Sequence, residues 1–424
     1  MSAPVGVARD RRPLAAVLLA NTVSIAGNSM TFLAVPWFVL ATTGSATRTG
    51  ITAFAEGAAF VASSAMGGLA VDRVGRRRIS VWSDIVSGCA VAAIPALHLT
   101  VGLPFWALLA LISLAALVRA PGETAREVML PMLVQRAAVS LERATSAYDG
   151  VSRAARMLGA PLAGLLIALT GPANVLFVDA ATFVVSALIV RVLVPSHDVQ
   201  PTVDRTEAHA APWLGDLRAG VGYLLRDRLL LAVVIMVMVT NMLDAAYSSV
   251  LVPVYANRIL HSAVGLGLIT GVFGGAAFLG TIAYGMVGPR LPRRTVFTVA
   301  FMLVGAPRFA VLAAEPRLST VLGVMFAVGL ACGAINPILA TVMYERVPEP
   351  LQGRVFGAVT AGCYAAIPVG ALCAGYLVTL FGLRVSLLLV GAAYLVATLA
   401  PLVSPVWRQM DDRRSSRDLA SATR

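Results

Sequence analysis

The chain has 424 residues, 58% hydrophobic and 13% charged, with a mean hydropathy of +0.83 and a formal net charge of +12. Soluble domains carry about 25% charged residues, so the composition excludes a soluble enzyme with one anchor, and its hydrophobicity excludes disorder. What remains is a polytopic membrane protein.

A bilayer core of about 30 Å takes about 20 apolar residues per helix. In chain order the sequence predicts twelve spans, at 14–40, 49–71, 80–101, 104–125, 145–170, 173–190, 229–256, 263–287, 295–314, 318–344, 355–380 and 385–406. Arg9, Arg11 and Arg12 before the first span resemble the start of a secretory signal, but apolar character continues past Asn28 to Leu40. That exceeds the apolar core of a cleaved signal, so this span is read as a helix. All 33 basic residues are arginine. With the N-terminus inside, 25 of them fall in the cytoplasmic segments and 4 (Arg48, Arg258, Arg317, Arg384) in the outer loops. The positive-inside rule then predicts both termini in the cytoplasm.

The layout is a cytoplasmic N-terminus (1–13), a six-helix bundle (14–190), a cytoplasmic central loop (191–228), a second six-helix bundle (229–406) and a cytoplasmic tail (407–424). An internal repeat supports this division. Arg77-Arg78 matches Arg293-Arg294, and Gly164 and Gly171 match Gly375 and Gly382. Parallel repeated halves are a sequence sign of secondary transporters.

The lack of lysine excludes a G-x-x-x-x-G-K-[ST] nucleotide loop and Schiff-base chemistry. Cys89, Cys332, Cys363 and Cys373 lie in apolar spans without a C-x-x-C pair and read as small buried residues, so no metal or other cofactor is expected. Basic cytoplasmic loops account for the net charge, so the expected surroundings are a lipid bilayer and not nucleic acid.

Between spans 2 and 3 runs Gly67-Gly68-Leu69-Ala70-Val71-Asp72-Arg73-Val74-Gly75-Arg76-Arg77-Arg78. It resembles the G-x-x-x-D-R-x-G-R-R signature of the major facilitator superfamily. The resemblance implies a gating loop formed by Gly68, Asp72, Arg73, Gly75, Arg76 and Arg77. The second-half equivalent, Gly288-Pro289-Arg290-Leu291-Pro292-Arg293-Arg294, has no Asp. Further stretches resemble the third drug–proton antiporter group, which includes macrolide-efflux and enterobactin-exporter proteins. These are Val35-Pro36-Trp37, Leu158-Gly159-Ala160-Pro161-Leu162-Ala163-Gly164, Asp179-Ala180-Ala181-Thr182-Phe183 and Leu251-Val252-Pro253-Val254-Tyr255-Ala256. The helix-5 antiport element is imperfect, with Ala160 and Leu165 where glycines are expected.

Ionisable groups at mid-membrane cost about 2.5–3.5 kcal/mol on insertion scales, so each is a candidate functional group. The proton-coupling candidates are Glu56, Asp244, Asp149 and Asp179. Glu56 and Asp244 fit best, because neither has an opposite charge within one helical turn. Asp149 is expected to be locked to Arg153, Asp84 to pair with the Arg76–Arg78 cluster, and Asp179 to lie near the outer face, either solvated or in transport. Arg119 heads a ladder with Glu123 and Arg126. Candidate substrate contacts at mid-membrane between the halves are Asn28, Ser29, Arg119, Asn241, Tyr247 and Tyr364, with Asn28, Ser29 and Tyr364 equally readable as packing contacts. Pro36, Pro253, Pro337 and Pro368 are candidate bending points.

The expected fold is all-α, with twelve transmembrane helices in two repeated halves. The expected activity is proton-driven export of an amphipathic drug-like or natural-product molecule by a monomer in a bacterial plasma membrane. A proton-coupled importer of a small metabolite is the alternative. A membrane-embedded enzyme would need a His, Ser or metal constellation, and the sequence offers none.

Overall fold

The computed structural model describes residues 10–195 and 213–411, and every regular element among them is helical. The first six helices are α1 (Arg12–Thr43), α2 (Ala46–Val74), α3 (Arg76–Thr100), α4 (Phe105–Ala137), α5 (Leu141–Thr170) and α6 (Pro172–Leu193). A shorter helix, α7 (Trp213–Arg226), follows. Then come α8 (Arg228–Arg258), α9 (Ala263–Val287), α10 (Arg293–Ala313) and α11 (Leu318–Arg346). The last run divides at Gly382 into α12, 352–381, and α13, 383–398. Among the described residues ten runs are long and apolar enough to cross a membrane, and one of them, Glu349–Val403, holds two helices. With α2 of similar length, the twelve expected spans are all present.

The helix ends follow local chemistry. Ser140 accepts a bond from the Arg143 amide (3.4 Å) at the start of α5, and Asp227 accepts from the amides of Leu229 and Leu230 (2.9 and 3.1 Å) at the start of α8. Such caps occupy amides that a helix N-terminus otherwise leaves without partners. Asp10 accepts from the Arg12 amide at 3.0 Å, and it stands 217 residues before Asp227. The same spacing relates Gly44 to His261, both at positive φ, and Arg76 to Arg293, which open α3 and α10. The repeat therefore runs at 217 in this region, one residue more than the doublet Arg77-Arg78 implies.

The chain forms two compact units. The first comprises 10–44, 51–195 and 262–267, and the second 45–50, 213–261 and 268–411. At one end of the first unit, Leu14, Val17, Met129, Leu133, Ala144 and Val190 close a core. The second has a counterpart of Leu224, Leu230, Val234, Val347, Val355 and Val359. Leu224 belongs to α7, which the sequence reading left inside the central loop. Its Gly220 and Leu224 share one face at i, i+4, and a Cβ on Gly220 would sit 3.1 Å from the Ala358 Cβ. The second unit also incorporates the segment Pro405–Met410, whose Trp407 is buried and stacks on Phe297 at 5.8 Å.

Several helices are broken, but not always where proline predicts. α1 runs unbroken through Pro36. α8 widens into a π-turn at Tyr247–Leu251, just before Pro253. α10 is interrupted at Gly305, α11 between Cys332 and Ile335, and α12 between Tyr364 and Ile367.

Candidate functional site

In the first unit, α1, α2, α4 and α6 bring their polar residues to one small cavity of about 20 Å³, room for a single water molecule. Asn28, Thr31, Glu56, Arg119 and Asp179 supply its polar lining, and Val91, Ile94, Ile112 and Phe183 part of its apolar wall. Nη1 of Arg119 donates to Oε1 of Glu56 at 3.5 Å and to Oδ1 of Asn28 at 3.4 Å. Its Nε lies 3.9 Å from Glu123, one turn along α4, and its guanidinium sits 5.1 Å from the Phe60 ring. Asp179 is fully buried. It accepts from the hydroxyl of Thr31 (2.5 Å) and from that of Thr182 (3.2 Å). Among the described residues no arginine lies within ion-pair distance of Asp179.

The acids of this cavity differ in their partners. Glu56 faces the Arg119 guanidinium, which also has Glu123 nearby, whereas fully buried Asp179 has only hydroxyl partners among the described residues.

The second unit builds a different arrangement around Asp244. Arg308 of α10 forms an ion pair with it. The Arg308 side chain is 4% exposed and that of Asp244 is 40% exposed. Three rings surround the guanidinium, with centroids at 4.5 Å (Tyr247), 5.0 Å (Phe309) and 5.0 Å (Tyr394). Aromatic faces carry negative quadrupole charge, and desolvated cation–π contacts contribute about 2 kcal/mol each. The backbone irregularities gather here: the π-turn begins three residues after Asp244, and the α10 break lies three residues before Arg308. Pi-turns often mark functional positions in helices.

A third buried pair lies in the first unit. Asp84 of α3 accepts two bonds from Nη1 of Arg126 at 2.9 and 3.0 Å and one from Ser186 Oγ at 2.6 Å. Both side chains are almost inaccessible to solvent. Asp84 is therefore the partner of Arg126, and the expected pairing with Arg76–Arg78 is replaced by one across helices. The cause is length: α4 continues to Ala137, twelve residues past its predicted end, and carries Arg126 inside the bundle.

Other expectations change as well. Glu56 and Asp244 each have an arginine from another helix, which the count of charges along single helices missed. Asp149 is exposed and forms no ion pair with Arg153 among the described residues. Asp179 is buried, not solvated. Ser29 donates within α1 to the Ile25 carbonyl (2.8 Å) and packs where α5 offers Gly159. Asn241 donates to the Cys363 carbonyl (3.0 Å), and the hydroxyl of Tyr247 contacts Met325 Sδ (3.3 Å). Tyr364 is half exposed. Cys363 is buried and Cys332 intermediate, whereas Cys89 and Cys373 are exposed. In the loop motif, Gly75 has φ 97° and precedes α3, and the Arg77 guanidinium donates to the Arg191 carbonyl. Gly68 lies in α2, but its surroundings and the side chains of Asp72 and Arg73 fall outside the described residues. Arg308 was visible in the sequence as a charge inside an apolar span, which needs a buried partner; only the fold identifies that partner as Asp244.

The sequence and fold can be set beside known proteins. The pattern described as Major Facilitator Superfamily matches residues 17–261 and 233–423. The multidrug efflux pump Tap of Mycolicibacterium fortuitum is 33% identical over 405 residues, covering 95% of this chain and 98% of that protein. The multidrug efflux pump Tap of Mycobacterium tuberculosis is 31% identical over 411 residues, covering 95% and 96%. The crystal structure of the nucleoside transporter NupG superposes with a TM-score of 0.72 at 13% identity, covering 92% of this chain and 98% of that one. With its helical architecture, this makes the chain a multi-pass membrane protein that belongs to the major facilitator superfamily.

Proposed function

We propose that the chain exports amphipathic drug-like or natural-product molecules across the bacterial plasma membrane, driven by inward proton flow. It works as a monomer by alternating access, leaves its cargo chemically unchanged and keeps both termini in the cytoplasm. Export is supported by the two efflux pumps that match nearly the whole chain. The observation that carries proton coupling is the cavity of the first unit, where buried Asp179 shares a lining with Glu56 and Arg119. A proton held by Asp179 neutralises that carboxylate, and its release restores the charge. Asp244 is the second candidate: its loss of charge would leave Arg308 buried without its counter-ion, a change costly enough to move the interrupted helices around it.

The test uses cells and inverted membrane vesicles. Expression is expected to lower accumulation of a lipophilic cation dye, and a protonophore to abolish the effect. Asp179→Asn is expected to reduce proton-driven dye transport at least about tenfold, the scale of about 1.4 kcal/mol, while dye binding persists. Dye accumulation that rises with expression overturns export. Undiminished proton-driven flux in Asp179→Asn overturns the role of that carboxylate.

A further inference from the structure

The second unit carries an open groove that the transport proposal does not use. Its polar end holds about 580 Å³ and is lined by Tyr284, Gly288, Arg293, Pro337, Thr341 and Asp411, with Leu291 and Pro292 at its side. Leu291 and Pro292 also begin a second, almost wholly apolar groove of about 360 Å³. That groove follows α10 along Val296, Val299 and Leu303 and is closed by Ala331 and Ala334 of α11. From Leu291 to Leu303 it is about 18 Å long at 1.5 Å per residue. One leaflet of a bilayer core of about 30 Å is about 15 Å deep, so the apolar part matches an acyl chain in length.

The polar end has the charge to match a headgroup. Arg293 lines it together with Asp411, Arg290 lies in the chain between its lining residues Gly288 and Leu291, and Arg294 follows Arg293, so three arginines are gathered here against the carboxylates of Glu345 and Asp411. Glu345 is engaged by Arg293 through two bonds at 2.5 and 2.9 Å, and Asp411 accepts from the Arg294 amide at 3.0 Å. The Arg294 guanidinium donates to the Pro401 carbonyl. Arg290 is left as the excess cation: it is exposed, and among the described residues its side chain has no partner. The Tyr284 ring lies on Gly288, where an added Cβ would come within 2.6 Å of it, and Tyr284 lines the groove beside Arg293. A phosphate diester needs such a guanidinium and hydroxyl donor, and basic pockets between membrane helices at the cytoplasmic surface hold anionic headgroups.

We infer that this groove binds one anionic phospholipid, its phosphate at Arg290 and Tyr284 and one acyl chain along Val296, Val299 and Leu303. The inference is independent of the direction of transport and of the proton site.

The test is lipid retention. The full-length protein is reconstituted in equal phosphatidylglycerol and phosphatidylcholine, extracted in mild detergent and analysed by native mass spectrometry. About one phosphatidylglycerol per chain is expected, preferred about fivefold over phosphatidylcholine, the contribution of one arginine at an anionic surface. Arg290→Gln is expected to abolish the preference, and Val299→Trp, which fills the apolar groove at an exposed position, to release the lipid. Equal retention of both lipids overturns the site, leaving only a general lipid contact. Retention unaffected by both variants overturns it too. Inorganic phosphate that displaces the lipid at millimolar concentration, or loss in Arg290→Gln with full retention in Val299→Trp, assigns the polar end to a soluble anion and overturns the lipid proposal.

Discussion

Asp84 and Asp149 look alike in the sequence, each an acid in an apolar helix with arginines close by along the chain. The fold separates them. Asp84 is buried and holds Arg126, itself inaccessible, while Asp149 is exposed. Removing one member of a buried pair leaves an uncompensated charge and costs about 3–5 kcal/mol. Exposed pairs contribute at most about 1 kcal/mol. Asp84→Ala is therefore expected to lower the apparent melting temperature of the detergent-solubilised protein markedly, and Asp149→Ala to leave it nearly unchanged. Equal melting of the two variants would refute the structural role given to Asp84. The sequence made the presence of buried charges legible, because a charge inside an apolar span must have a partner. It did not make the partners legible. Neighbours three and four residues away share a helix face, but Arg126 lies 42 residues from Asp84 and Arg308 lies 64 from Asp244. Such pairs form only when separate helices pack.

At the scale of elements, the repeat is written in backbone conformation more clearly than in residue identity. Gly171 (φ 85°, ψ 159°) joins α5 to α6, and Gly382 (φ 78°, ψ 167°), 211 residues later, joins α12 to α13. Both occupy a region that is essentially open to glycine alone, where other residues pay about 1–3 kcal/mol. The two other repeated turns break the glycine rule in the second half: Gly44 corresponds to His261 (φ 48°), and Gly102 to Glu315 (φ 50°). Opposite signs follow. Gly171→Ala and Gly382→Ala are expected to destabilise by about 1–3 kcal/mol each. His261→Gly and Glu315→Gly are expected to be neutral or mildly stabilising, because they relieve a left-handed backbone. Thermal melting of the four variants checks this, and a loss of stability in the last two would contradict the strain argument. The Gly171 and Gly382 pair was legible as a repeat because its backbone conformation is open to glycine alone. The π-turn beside Asp244 lies just before Pro253, one of the expected bending points, whereas the break at Gly305 falls two residues before Pro307, which was not among them.

For the molecule as a whole, the arginines set a direction that packing alone does not. Arg126 and Arg346 were counted with the cytoplasmic segments, yet both are buried in ion pairs, Arg126 with Asp84 and Arg346 with Asp227. A paired, buried arginine weighs less in the charge bias than one free at the surface. The surplus survives their removal, because the N-terminus, the α2–α3 loop, the central segment and the tail still hold most of the 33 arginines, against four in the opposite loops. That asymmetry over short loops predicts orientation. A green fluorescent protein fused after Arg424 is expected to fluoresce, because it folds in the cytoplasm, and alkaline phosphatase fused there to be inactive. Alkaline phosphatase inserted after Arg258, in the turn between α8 and α9, is expected to be active, because that turn belongs to the arginine-poor side. The opposite pattern would invert the molecule. It would also place the Arg290 groove in the outer leaflet, while leaving the buried carboxylates and their partners as they are.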